Sequence, residues 1–229
     1  MVNTDNKARV VLAWSSGKDS AWALHQLEQS DEYELAGLLT TVNEEFERVA
    51  MHAVRQELLE EQARLIGLPL TVVNIPWPCS NEDYEQRMAS ALETLLKEER
   101  IKHVAFGDLF LEDIRQYRED KMQGSGLTPL FPLWGKNTRE LAEEMLTAGV
   151  KAIITCIDPR KLDQEFAGRI YDHQFLKDID ADVDPCGENG EFHTFVFDGP
   201  IFERALDIKT GEIVEREGFV FADILSAAD

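Results

Sequence analysis

The sequence predicts an α/β protein: a doubly wound, mostly parallel sheet followed by a smaller α+β unit. Three observations carry this. Short apolar runs alternate with segments of helical periodicity as far as Phe106. The first run, Arg9-Val10-Val11-Leu12-Ala13-Trp14, leads into Ser15-Ser16-Gly17-Lys18-Asp19-Ser20, which reads as strand, small-residue loop and helix start. From Phe192 onward the pattern is β-rich. Strands that alternate with helices pair in parallel, because each crossover helix returns the chain to the same edge direction and covers a face of the sheet.

The elements follow in order. Val10 to Trp14 is the first strand. Ser20, Leu24 and Leu27 share one face of the helix after it. Leu35 to Val42 is a second strand. Val54, Leu58, Leu65 and Ile66 mark a second helix, closed by Gly67 and Pro69. Leu70 to Ile75 is a third strand, stopped by Pro76 and Pro78. Ser80 caps a long helix running to Arg100, with Asp83 three residues on. Ile101 to Phe106 is the fourth strand. Gly124 to Gly126 breaks the chain, and Pro129 and Pro132 frame an extended piece ending at Trp134-Gly135. Asn137 and Glu140 open a helix whose apolar face is Leu141, Met145 and Leu146. Ala152 to Ile157 is another strand. Lys209-Thr210-Gly211 reads as a hairpin turn between Ile201–Ile208 and Glu212–Phe221. The expected division is 1–134 for the parallel unit and 135–229 for the smaller one.

Composition narrows the function. The chain has 229 residues, 44% hydrophobic and 29% charged, which suits a globular protein with a sizeable core. Its net charge of −21 repels phosphate backbones, so general nucleic-acid binding is not expected. Met1 to Lys7 lacks an apolar signal region, and no apolar run is long enough to span a bilayer, so a cytoplasmic location without membrane attachment is expected. The three cysteines, Cys79, Cys156 and Cys186, are odd in number and contain no C-x-x-C pair, which argues against a disulfide framework or a zinc site. Whether copies of the chain self-associate is left open.

The loop at residues 15–20 is chemically the most telling. Free N–H groups at a helix start point outward with partial positive charge and suit an anion. Small residues let a phosphate approach the backbone. Lys18 adds a cation, and Ser15 and Ser20 add hydroxyl donors. The spacing is not that of G-x-x-x-x-G-K-[ST], nor that of a dinucleotide fingerprint. An ordinary serine-capped helix is the plain alternative. In a sheet of this kind ligands sit beyond the carboxyl ends of the strands. That places Thr40, Thr41, Asn43, Pro76, Gly107 and Asp108 around the same crevice.

Two further clusters stand out. In Asp182-Val183-Asp184-Pro185-Cys186-Gly187-Glu188-Asn189-Gly190-Glu191-Phe192-His193-Thr194, two glycines, a proline and an asparagine shape a tight loop. It runs into a strand in which Glu191 and His193 fall on one face, with Glu188 just before. Carboxylates and an imidazole on a rigid loop suit substrate positioning, metal holding or proton transfer; an acidic turn with a structural histidine is the alternative. In Phe106–Arg118, Arg115 and Arg118 share a helix face, to clamp an anion or to pair with Glu112, Asp113 and Glu119. His52 and Arg55 form a similar pair at the second helix.

The loop S-S-G-K-D-S resembles the S-G-G-x-D-S loop of PP-loop ATP pyrophosphatases, with Ser16 where that pattern has a second Gly. Together with M-H-A-V-R, F-G-D-L-F-L-E-D-I-R-Q-Y-R, P-L-F-P-L-W-G and D-P-C-G-E-N-G-E-F-H-T-F, it makes nearly the whole chain similar to the diphthine–ammonia ligase family. Forms acting on diphthine read closer to G-E-G-G-E-x-E-T; here Asn189 replaces Gly and His193 replaces a carboxylate. The resemblance implies an adenine-nucleotide α-hydrolase-like domain and an ATP-dependent ligase. That enzyme would adenylate a carboxylate-bearing acceptor and transfer ammonia to it. It implies that Ser15, Ser16, Gly17, Lys18, Asp19 and Ser20 bind ATP, with Thr41, Gly107 and Asp108 beside them. Asp19 would hold Mg²⁺. Lys18 and Asp19 would act in catalysis with Glu188, Glu191 and His193 at the acceptor. A PP-loop tRNA-thiolating enzyme using Cys156 and Cys186 and a non-catalytic ATP or AMP sensor are the alternatives.

Overall fold

The computed structural model describes residues 7–45, 48–49, 54–98 and 100–227. The first sheet has six strands: β1 (Ala8–Ala13), β2 (Tyr33–Asn43), β3 (Arg48–Val49), β4 (Leu70–Ile75), β5 (His103–Ala105) and β6 (Thr128–Leu130). Its order is β3-β2-β1-β5-β6, with β4 also paired to β2. The pairings β1–β2, β1–β5, β2–β4 and β5–β6 are parallel; only the short β3 is antiparallel.

The crossovers are α1 (Lys18–Glu28), α2 (Gln56–Ile66), α3 (Asn81–Glu98) and α4 (Glu112–Met122). Period-two alternation in the strands sends side chains to opposite faces. Val10, Leu12 and Leu38 join Leu24 of α1 and Leu59 of α2 in one apolar cluster. Val11, Leu39 and Val104 join Leu95 of α3 and Met122 of α4 in another. Gly67 ends α2 at φ 79°, a left-handed conformation that favours glycine. Ser80 caps α3 by accepting from the Asp83 N–H at 3.1 Å.

The second unit comprises α5 (Thr138–Thr147), β7 (Lys151–Ile157), β8 (Ile170–Tyr171), α6 (Phe175–Asp178), β9 (Phe192–Asp198), β10 (Ile208–Arg216) and β11 (Phe219–Ser226). Its strands are all antiparallel, and β7 pairs with β8, β9 and β11. Asn137 caps α5 by accepting from the Arg139 and Glu140 N–H groups. One expectation needs correcting: Lys209-Thr210-Gly211 lies inside β10, and the hairpin turn is Glu217-Gly218. Two consecutive residues at positive φ, 52° and 79°, give a turn whose twist matches the strands. Gly211 instead lets strands pack closely, since a Cβ there would lie 3.2 Å from Leu225.

The two units share one apolar core, in which Leu12, Leu24 and Leu59 lie in the same cluster as Ile154, Phe195 and Val196. A buried polar junction crosses it. Trp14 Nε1 donates to Gln62 Oε1 at 2.9 Å, and Gln62 Nε2 donates to Val196 O at 2.7 Å and Ser16 O at 3.2 Å. Gln62 is fully buried, so each of these bonds replaces one to water. Arg48 and Arg55 both reach Asp223 on β11, at 2.8 and 2.7 Å. Among the described residues no helix is long and apolar enough to cross a membrane.

Candidate active site

A cleft of about 600 Å³ opens over the carboxyl ends of β1, β2 and β5, the crevice expected for a parallel sheet. Ser15, Gly17, Lys18, Asp19, Ser20, Thr40, Thr41, Gly107 and Asp108 line it from the first unit, and Glu188 and His193 from the second. Asn43 and Pro76 do not, because β2 runs on to pair Asn43 with Ile75 and Arg48 and so carries both past the crevice.

The loop conformation follows from its residues. Ser16 is at φ 71°, a left-handed conformation that favours glycine. Its carbonyl is held by Val196 N–H at 2.9 Å and by Gln62. Ser16 is fully buried and forms the loop's floor, outside the cleft lining. Ser15 Oγ lies 3.1 Å from Ser20 Oγ, and Ser20 Oγ donates to Gly17 O at 2.9 Å. Gly107 must be small: a Cβ there would lie 3.0 Å from the backbone of Asp19 and Ser20. The first intrahelical bond is Ala21 N–H to Gly17 O, so the Asp19 and Ser20 N–H groups precede the α1 ladder beside Gly107.

Lys18 is placed otherwise than the sequence suggests. Its side chain is 2% exposed, and its ammonium donates to Asp19 Oδ2 at 2.9 Å and to the Cys186 carbonyl. The rings of Tyr171 and Phe192 lie 5.4 and 5.3 Å from it. Burial opposes its charge, but Asp19 and the groups around Cys186 outweigh this and raise its pKa, so it stays an ammonium. Burial pushes the Asp19 carboxyl up, opposed by Lys18. Asp19 Oδ1 is buried and has no hydrogen-bond partner among the described residues. A hard carboxylate oxygen of that kind fits Mg²⁺, which takes one or two protein carboxylates and completes its shell with phosphate and water. Among the described residues no group of three or more His, Cys, Asp or Glu side chains forms a ready-made cage.

The loop of the second unit reaches into the first. Glu188 Oε1 accepts from Leu109 N–H at 2.7 Å. Burial, together with nearby Asp19 and Asp108, raises Glu188 to about 7. His193 is lowered to about 4 by burial and by the Lys18 charge, so at neutral pH it is an uncharged imidazole. Glu191 does not join them. It is 4% exposed and outside the cleft, with Oε1 accepting from Asp184 N–H at 3.0 Å and Asn189 Nδ2 at 3.1 Å. The strand begins only at Phe192, so the period-two argument that paired Glu191 with His193 starts one residue early, and Glu191 clamps the loop instead. Gly187, at φ 73°, is required there, since a Cβ would lie 2.7 Å from Phe192 O.

The arginine pair divides. Arg118 lines the cleft, stacks 4.1 Å from the Phe106 ring and forms a two-pronged bond to Asp108 at 2.5 and 3.0 Å. Arg115 pairs with Glu119 and lies over Phe131 and Trp134, away from the cleft. Arg55 joins the two units, and His52 lies outside the described residues. Cys156 and Cys186 are both buried; burial pushes the Cys156 thiol up to about 12 and raises Cys186 as well, so neither is an activated thiolate.

Sequence reasoning did not find the cleft's apolar wall. Tyr84, Met88 and Leu92 of α3 line it with Leu39, Val104, Phe106 and Met122. The signal was present: Tyr84, Met88 and Leu92 are four apart and share one helix face. An apolar wall beside a loop of N–H and hydroxyl donors has the form of a nucleotide pocket, with one side for a flat base and one for phosphates.

The family model for the diphthamide synthase N-terminal domain matches residues 8–129, and that for the diphthamide synthase C-terminal domain matches residues 137–227. Among curated proteins, the diphthine–ammonia ligase of Bos taurus is 24% identical over 237 residues, covering 94% of this chain and 88% of the relative. That of Homo sapiens is 24% identical with the same coverages, and that of Danio rerio is 24% identical over 94% of this chain and 92% of the relative. With both family models matched in order along one chain, the protein belongs to the diphthamide synthase family.

Proposed function

We propose that this protein is an ATP-dependent ligase that joins ammonia to a carboxylate-bearing acceptor through an acyl-adenylate. One observation carries the reading: the loop at residues 15–20 and the Glu188–His193 segment line the same cleft. Residues 1–134 then serve as the nucleotide unit and 135–229 as the acceptor unit. The relatives are named diphthine–ammonia ligases, which supports a carboxylate acceptor and ammonia as co-substrates.

In this reading the acceptor carboxylate displaces pyrophosphate from the α-phosphorus of ATP, and ammonia then displaces AMP from the acyl carbon. The N–H groups of Asp19 and Ser20 stabilise the leaving pyrophosphate, with the Ser15 and Ser20 hydroxyls shaping the loop that presents them; one well-placed donor is worth about 2.7–4 kcal/mol of barrier. Magnesium bound at Asp19 would neutralise phosphate charge. Thr41, Gly107 and Asp108 border the nucleotide, and Gly107 lets the end of β5 pack against the start of α1. Glu188, near 7, is matched to removing a proton from ammonium or from the attacking nitrogen. His193, neutral, orients the acceptor by hydrogen bonding. The acidic surface makes nucleic acid an unsuitable acceptor.

The test is acceptor-dependent formation of AMP and pyrophosphate from ATP, Mg²⁺ and ammonium. Candidate acceptors are a diphthine-bearing elongation factor and a pool of small carboxylic acids. AMP release that requires both acceptor and ammonium supports the proposal; tight nucleotide binding without turnover under any of these conditions rejects it.

A further inference from the structure

Thr194 closes the glycine–glutamate loop in sequence, yet its side chain serves the other unit. It is 2% exposed, and its Oγ1 accepts the Lys18 N–H at 3.1 Å, across 176 positions of chain. Lys18 N–H is the first donor of α1, the group a helix N-terminus ordinarily offers to an anion. The Thr194 carbonyl also closes on the loop: a Cβ at Gly17 would lie 3.2 Å from it. Two residues along β9, Val196 N–H holds the left-handed Ser16 carbonyl at 2.9 Å. Lys18, two residues beyond Ser16, sends its ammonium to the Cys186 carbonyl. The phosphate loop therefore takes its shape from β9 and from the loop that precedes it.

We propose that Thr194 is a positioning residue for the phosphate loop: by taking the Lys18 N–H it fixes the first turn of α1, so that the Asp19 and Ser20 N–H groups face the anion. This rests on the reading of the cleft as an ATP site. The chemistry is specific to a hydroxyl acceptor. Valine has the same shape and packs equally well in β9, but presents a methyl group to the N–H and leaves that donor buried without a partner. Serine keeps the oxygen and loses only the methyl group.

The experiment uses the full chain and isothermal titration with Mg²⁺ and a non-hydrolysable ATP analogue, and separately with adenosine, which has no phosphate. Thr194→Val is expected to weaken the ATP analogue about tenfold or more, with adenosine affinity unchanged. Thr194→Ser is expected to restore most of the loss. Amide hydrogen exchange of the peptide covering residues 15–20 should accelerate in Thr194→Val and not in Thr194→Ser. Thr194→Ala, which removes the acceptor with no added bulk, should behave as Thr194→Val does. Unchanged ATP affinity in Thr194→Val, an equal loss for adenosine, or failure of serine to rescue overturns the assignment. Wild-type protein that binds neither ligand removes the ATP reading itself, and the assignment with it.

Discussion

Lys18 is the sharpest place to test the structural reasoning, because sequence and structure predict different outcomes for its removal. From the loop motif alone Lys18→Ala should cost turnover and leave stability almost untouched. In the structure the ammonium is 2% exposed, bonded to Asp19 Oδ2 at 2.9 Å and to the Cys186 carbonyl, and flanked by two aromatic rings. Replacing it by methionine keeps the stem's apolar contacts and deletes the charge. Asp19 then loses its counter-ion, and the Cys186 carbonyl loses its donor. Breaking a buried ion pair costs about 3–5 kcal/mol. Asp19 keeps 25% of its side-chain surface in solvent, which places the expected loss near the lower end, about 3 kcal/mol. For a chain of this size that is a fall in Tm of about 6–12 °C. Urea denaturation of Lys18→Met, Asp19→Asn and the double variant, without nucleotide, measures the loss and the coupling. The double variant should recover part of the single-variant loss, since Asn needs no counter-ion. A loss below about 1 kcal/mol in Lys18→Met, within the range of a surface pair, refutes the buried-strut reasoning.

Two other outcomes follow from the same geometry. Ser16→Gly relieves a left-handed residue; that conformation costs an L-residue about 1–2 kcal/mol, glycine's extra chain entropy takes back about 0.5–1, and a net gain of about 0.5–1 kcal/mol is expected by urea denaturation, with turnover retained. A loss of stability would contradict it. Glu188, raised to about 7, is increasingly ionised between roughly pH 6 and 8, so a base role predicts acceptor-dependent kcat/KM rising with pH through a midpoint near 7. Glu188→Gln should abolish that step, and His193, at about 4, should add none above pH 6. A step that survives in Glu188→Gln assigns the titration to another group.

The fold was legible because its signals are local. Apolar runs, the capping Ser80 and Asn137, and Gly67 each act within a few residues, and each is found in the expected element. The hairpin was misplaced because Lys209-Thr210-Gly211 has turn composition, whereas a two-residue turn is decided by backbone twist, which Glu217-Gly218 supplies. The cleft was legible where residues sit at strand ends, as with Thr41, Gly107 and Asp108. It was not legible where a side chain can turn two ways. Glu191 is captured by Asp184 N–H and Asn189, and Lys18 by Asp19 and Cys186, and each capture depends on partners that only the folded loop brings near. Asn189 supplies one of those bonds to Glu191 and so helps to hold that carboxylate inside the loop.

The central claim is that one cleft brings ATP, ammonia and a carboxylate acceptor together. The most direct measurement is incubation of the protein with ATP, Mg²⁺ and isotopically labelled ammonium against the diphthine-bearing protein and the carboxylic-acid pool, read by mass spectrometry. Labelled nitrogen is expected in a primary amide of one acceptor, in step with AMP, and lost in Glu188→Gln. AMP formed without labelled amide on any acceptor, or amide formed with ADP as the product, would contradict it.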